Sequence, residues 1–125
     1  MKTLKSLILV VLALSYYQTS AQQEPVKVAG GNKVEIKTSA VCNMCKEAIE
    51  YDLAFEKGVK SAELDVPSKI VTVVYNPKKT DANKIRKRIA KVGYHADNVK
   101  RDSLAYEKLP FCCKDGEHEG EHDRH

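Results

Sequence analysis

Along this chain, apolar residues recur at two different spacings, every second position in some stretches and every third or fourth in others. Lys33–Ser39 sets Val34, Ile36 and Thr38 on one side and charged residues on the other, which predicts a half-buried strand. Val59–Val66 repeats the pattern with Ala62, Leu64 and Val66, and Lys69–Tyr75, rich in Val and Ile, predicts a third strand after the Pro67-Ser68 turn. From Asn43 to Lys57 the apolar positions Cys45, Ala48, Ile49 and Leu53 fall at helical spacing, and Gly58 supplies the stop. Asn76-Pro77 breaks the third strand. Thr80 is then the expected N-cap of a second helix with the buried stripe Ala82, Ile85, Ile89 and Val92, ended by Gly93. A short fourth strand is expected over Ala96–Val99. The order β-α-β-β-α-β is the ferredoxin-like plan: an α+β sandwich of a four-stranded antiparallel sheet with two helices on one face.

The ends of the chain do not follow this pattern. Residues 1–21 begin with Lys2 and Lys5, continue through the apolar run Leu7–Leu14 and close on Ser20-Ala21, the three parts of a secretory signal peptide. A membrane-spanning helix needs about 20 apolar residues, and this run is much shorter. The expectation is therefore a secreted or periplasmic protein cut near Ala21, with no membrane insertion of the mature chain. Residues 22–31, with Pro25 and Gly30-Gly31, read as a linker to a domain spanning 32–101.

Charge separates the C-terminal segment as well. Residues 32–101 carry 15 Lys and Arg against 9 Asp and Glu, whereas 102–125 carry 3 against 7. An acidic tail holding Cys and His on a basic body predicts a separate, flexible element. The basic positions Lys84, Arg86, Lys87, Arg88 and Lys91 read as a solvated helix face that steers an acidic partner. The sheet lacks the aromatic face with which such folds stack RNA bases, so no nucleic-acid partner is expected.

The chemistry lies in the cysteines. Cys42 and Cys45 stand where the first strand gives way to the first helix. There, unpaired N–H groups and the positive end of the helix dipole favour thiolate. Two thiolates on one loop suit a soft ion, Cu(I), which accepts them in near-linear geometry, being the first expectation and Hg(II) the alternative, and they leave coordination positions open to a partner's thiolates. A structural disulfide and a redox couple are the alternatives, since an exported chain meets oxidising conditions. Cys112 and Cys113, adjacent in sequence, close no useful loop with each other. With His118, His122 and His125 they form a possible auxiliary metal cluster, for which Zn(II) is a further ion. Tyr106, Leu109, Pro110 and Phe111 are apolar enough to dock the tail and bring Cys112 or Cys113 towards the first pair. Met44, inside the motif, either shields the site as a weak third ligand or is an ordinary surface side chain. No nucleophile, general base or nucleotide loop points to an enzyme.

The run Cys42-x-x-Cys45-x-x-x-Ile49-Glu50, then Lys57-Gly58-Val59, the Val71–Tyr75 strand and Gly93-Tyr94 together resemble the heavy-metal-associated domain over roughly Lys33–Lys100. That family includes copper chaperones, N-terminal domains of copper-transporting ATPases and the periplasmic mercury-binding protein. The resemblance implies that Cys42 and Cys45 are the metal ligands and that Tyr94 shields them. It also implies a monomeric carrier whose partner is a metal-transporting membrane ATPase or another metal-binding domain. One departure stands out: the family's Gly-Met-x before the first cysteine is here Ser39-Ala40-Val41, which puts affinity and metal preference in question more than binding.

Overall fold

The structure is a computed structural model and describes residues 23–115. Residues 1–21, read above as a signal peptide, and His118, His122 and His125 lie outside the described residues. Two hairpin strands come first, β1 (Val26–Val28) and β2 (Gly31–Lys37), followed by helix α1 (Asn43–Ala54). Strands β3 (Val59–Asp65) and β4 (Ile70–Tyr75) follow, then α2 (Ala82–Val92), the short α3 (Ser103–Glu107) and a 3-10 turn at Phe111–Cys113. The sheet is antiparallel throughout, in the order β1-β2-β4-β3. This is the expected ferredoxin-like α+β fold, with two main helices and a four-stranded antiparallel sheet.

Alternation on the strands builds the core. Val34, Ile36, Leu64, Val71, Val73 and Tyr75 are buried together with Ile49 and Leu53 of α1 and Ile85 and Ile89 of α2. Burying a large aliphatic side chain is worth about 1.5–3 kcal/mol, so this cluster drives the fold. Helix α1 also closes the outer edge of β3. Glu50 Oε1 accepts the Leu64 N–H at 2.7 Å and Lys46 Nζ donates to the Leu64 carbonyl at 2.8 Å, while Lys46 and Glu50 pair with each other. The outward backbone groups of Leu64, which could otherwise template another chain, are thereby satisfied.

The fourth strand is a different segment from the one expected. Ala96–Val99 is a tight turn in which each end residue's N–H bonds the other's carbonyl, at 3.1 and 2.9 Å. Its link to the sheet is an isolated bridge from Ala96 to Thr38. Asp97-Asn98 accounts for this, since such residues accept the left-handed backbone, and Asp97 has φ 50°. The edge is taken instead by β1, from the segment read as a linker. Val26–Val28 pairs with Gly31–Lys33 through a two-residue Ala29-Gly30 turn. Gly31 is required there, because a Cβ would lie 2.1 Å from the Tyr75 carbonyl oxygen of β4.

Three smaller expectations also change. Helix α1 stops at Ala54, short of Lys57. Asp81, not Thr80, caps α2, accepting the Lys84 N–H at 2.9 Å, while Thr80 is buried with its hydroxyl unbonded. The basic face of α2 is only partly solvated. Arg86 is buried and paired with Asp97 at 2.8 Å, and Arg88 bonds Asp52 at 2.9 Å and pairs with Glu56 at 3.5 Å.

Candidate metal centre

The loop from β2 to α1 is fixed by Thr38. Its N–H and its hydroxyl both donate to the Lys69 carbonyl, at 2.8 and 2.9 Å, and its hydroxyl oxygen accepts the Ala40 N–H at 3.2 Å. Ala40, where the family pattern has methionine, is fully buried. Cys42 is the N-cap of α1 in an extended conformation (φ −149°, ψ 171°), and its side chain makes no capping bond. Its carbonyl accepts the Lys46 N–H at 3.1 Å, which starts the helix and leaves the thiol free to face its neighbour. Cys45, one turn in, is wholly buried, whereas Cys42 is half-buried. Their sulfurs lie 3.0 Å apart, far beyond a disulfide bond of about 2.05 Å, and all four cysteines are free.

The first part of the tail, expected to be flexible, is packed on the domain through residue 115. Asp102 donates its N–H to the Ala90 carbonyl of α2 at 2.9 Å, and its carboxylate caps α3 by accepting the Ala105 N–H at 2.8 Å. Arg101 stacks on the Tyr106 ring, 3.5 Å from its centre, and pairs with Asp115, whose carbonyl accepts the Tyr106 hydroxyl at 3.0 Å. Leu109 packs against the core, while Phe111 stays exposed. Pro110 then starts the 3-10 turn, its carbonyl accepting the Cys113 N–H at 2.8 Å.

That turn delivers the second cysteine pair to the first. Cys113 is buried with its sulfur 3.5 Å from Cys42, and Cys112 lies 4.0 Å from Cys113. The Cys42, Cys112 and Cys113 sulfurs all fall within 4.8 Å of one another. Cys112 also donates to the Met44 thioether at 3.4 Å, so Met44, though half-exposed, sits at the rim of the group. What read as two clusters is one connected set among the described residues, with Cys42 joining its neighbour Cys45 to Cys113 and Cys112.

Gly93 makes the docking sterically possible. It ends α2 at φ 113°, and a Cβ there would stand 3.1–3.2 Å from the Ala105 carbonyl group and the Tyr106 nitrogen. Gly93→Ala is expected to cost about 1–3 kcal/mol in backbone strain and to push α3 off the domain. Faster proteolytic cleavage after Arg101 together with a lowered Tm would register both effects. Unchanged cleavage would show that the contact does not hold the tail.

The environment of the sulfurs is apolar. Tyr94 is buried under the loop and its hydroxyl makes no well-formed hydrogen bond. Burial, then the Cys45 and Cys113 thiols beside it, push its ionisation well above the ordinary phenol range. The Cys113 thiol is likewise pushed far up, by burial first and then by Cys45 and Cys42, with Tyr94 opposing. Without a cation the neutral thiol is thus favoured at Cys113, and a bound metal ion would supply the charge that reverses this. His95 lies outside the thiol group. Its Nδ1 accepts the Arg101 N–H at 3.2 Å and its own N–H donates to Ser39 Oγ at 2.9 Å.

A model of the heavy-metal-associated domain matches residues 36–95. Among solved structures, the N-terminal domain of a potential copper-translocating P-type ATPase from Bacillus subtilis, in the Cu(I)-loaded state, is 30% identical. The match covers 52% of this chain and 82% of that one, with a TM-score of 0.50. The CopZ metallochaperone is 26% identical over 51% of this chain and 97% of that one, also with a TM-score of 0.50. A copper binding domain from HMA7, a P-type ATPase, is 23% identical over 52% and 89%, with a TM-score of 0.51, and shows the fold alone. No curated protein is a significant match.

Proposed function

The chain belongs to the heavy-metal-associated domain family, a metal-binding family rather than an enzyme family, and from that premise we propose that it is an exported carrier of Cu(I). The observation that carries this reading is the pair of free sulfurs, Cys42 and Cys45, 3.0 Å apart at the strand-to-helix junction, one half-buried and one wholly buried. Soft thiolates favour Cu(I) and Hg(II) over hard ions and also hold Zn(II). The ATPase domain solved in its Cu(I)-loaded state supports copper first. Export rests on the 1–21 segment read from the sequence.

Delivery proceeds by ligand exchange. An incoming thiolate from a partner bonds the ion, the bond to the more accessible Cys42 breaks, and the freed thiolate takes up the proton that the partner's thiol released. No electron is transferred. The partner is a metal-transporting membrane ATPase or another metal-binding domain that presents thiols of its own.

The reduced chain, titrated with Cu(I) against a competing chelator, is expected to hold the ion at concentrations where a simple monothiol surrenders it. Mixing the loaded chain with an apo acceptor domain is then expected to redistribute the copper. A chain that competes no better than a monothiol would sink the proposal, and robust disulfide exchange with a model substrate would move the assignment of Cys42 and Cys45 to redox chemistry.

A further inference from the structure

We propose that Cys112 and Cys113 are not a separate site but ligands in cis to the ion held at Cys42 and Cys45, so that the docked tail closes the carrier into a thiolate site of three or more sulfurs. This rests on the carrier reading and goes beyond it by specifying how the site is closed.

The sulfur spacing carries the argument. With metal–thiolate bonds of about 2.3 Å, a linear two-sulfur site needs its sulfurs about 4.6 Å apart and a trigonal one about 4.0 Å. Cys42 and Cys45, at 3.0 Å, would have to separate by more than half that distance again to grip an ion linearly. Cys42 and Cys113 at 3.5 Å, with Cys112 and Cys113 at 4.0 Å, already lie near the trigonal spacing, and all three of these sulfurs stay within 4.8 Å.

The placement of these sulfurs is built rather than incidental. The Pro110 carbonyl fixes the Cys113 N–H, Leu109 and Cys113 pack into the core, and the Arg101–Asp115 pair with the Tyr106 hydroxyl clasps the chain on the far side of the turn. On metal entry the Cys113 sulfur–metal bond forms as its thiol proton leaves to solvent, with no redox change. Closure alters the route of delivery: a partner thiolate must displace the tail sulfurs before it reaches the ion.

The test is X-ray absorption at the copper edge on the reduced chain loaded with Cu(I), together with chelator competition. Wild type is expected to show three or more sulfurs about one copper per chain. Cys112→Ser/Cys113→Ser is expected to fall to two and to bind more weakly by at least the 10–100-fold that losing even a supporting residue of a metal site costs. It should also give up copper to an apo acceptor faster. Two sulfurs in wild type would overturn the inference without recourse to any variant. So would equal affinity of the tail variant, or two coppers bound independently, and each of these would leave the carrier reading in place. Undiminished binding by Cys42→Ser/Cys45→Ser would instead overturn both.

Discussion

Replacing Cys42 and Cys45 together by serine is expected to weaken Cu(I) binding by about four orders of magnitude. Structural metal sites of four ligands are worth about 10–16 kcal/mol, or about 3 kcal/mol per ligand. Each such ligand is therefore worth about a hundredfold in affinity. The two positions differ in what else they lose. Cys42 is half-buried and makes no capping bond, so Cys42→Ser removes a ligand and little more. Cys45 is sealed in the core with Tyr94, whose hydroxyl already lacks a well-formed bond. Cys45→Ser places a second hydroxyl there, at a cost of about 1–3 kcal/mol if it stays unpaired. Chelator competition and thermal unfolding on the two single variants separate these effects. Both are expected to lose binding, but only Cys45→Ser to unfold appreciably earlier. A double variant within tenfold of wild type would remove Cys42 and Cys45 from the site.

The strand and helix faces were legible because each is decided locally. Val34 and Ile36, Val71 and Val73, and Ile85 and Ile89 sit at the spacing of the element that buries them, and all are in the core. The Cys42/Cys45 junction was legible for the same reason. What escaped depends on distant partners. Val26–Val28 is too short to announce itself beside Pro25 and becomes a strand only because Gly31 lets β2 approach the Tyr75 carbonyl. Arg86 sits in a run of cations and reads as solvated, and its burial follows from Asp97, eleven residues on. For the tail, the apolar residues before Cys112 signalled docking. The site of docking is set by the missing Cβ of Gly93 and by the Arg101–Tyr106–Asp115 clasp, neither of which has a sequence periodicity to betray it.

Arg86→Ala is expected to be among the most destabilising single substitutions outside the apolar core, because Asp97 stands in for the backbone pairing that a fourth strand at this end of β2 would have supplied. Asp97 donates its N–H to the Lys37 carbonyl at 2.8 Å, and its Oδ1 accepts the Lys37 N–H at 2.9 Å. Its Oδ2 takes the Arg86 Nε–H at 2.8 Å, while Arg86 also donates to the Asn83 side chain at 3.0 Å. Both side chains are largely shielded, at 5% and 16% exposure. Removing one partner of a buried pair costs about 3–5 kcal/mol, much of it the charge left behind. The residual exposure of Asp97 places the expected loss at the lower end of that range. Asp97→Asn in the same background tests the cause. The amide keeps an acceptor for Lys37 and tolerates the left-handed backbone at φ 50°, yet leaves no stranded charge. Chemical denaturation is therefore expected to show Arg86→Ala/Asp97→Asn more stable than Arg86→Ala alone. If the double variant is no better, or if Arg86→Ala unfolds within about 0.5 kcal/mol of wild type, the range usual for surface substitutions, the pair does not hold this end of the sheet. The turn that carries Tyr94 towards the thiols would then be anchored by its backbone contacts, the Thr38–Ala96 bridge, the Asp97 N–H on the Lys37 carbonyl and the His95 N–H on Ser39 Oγ.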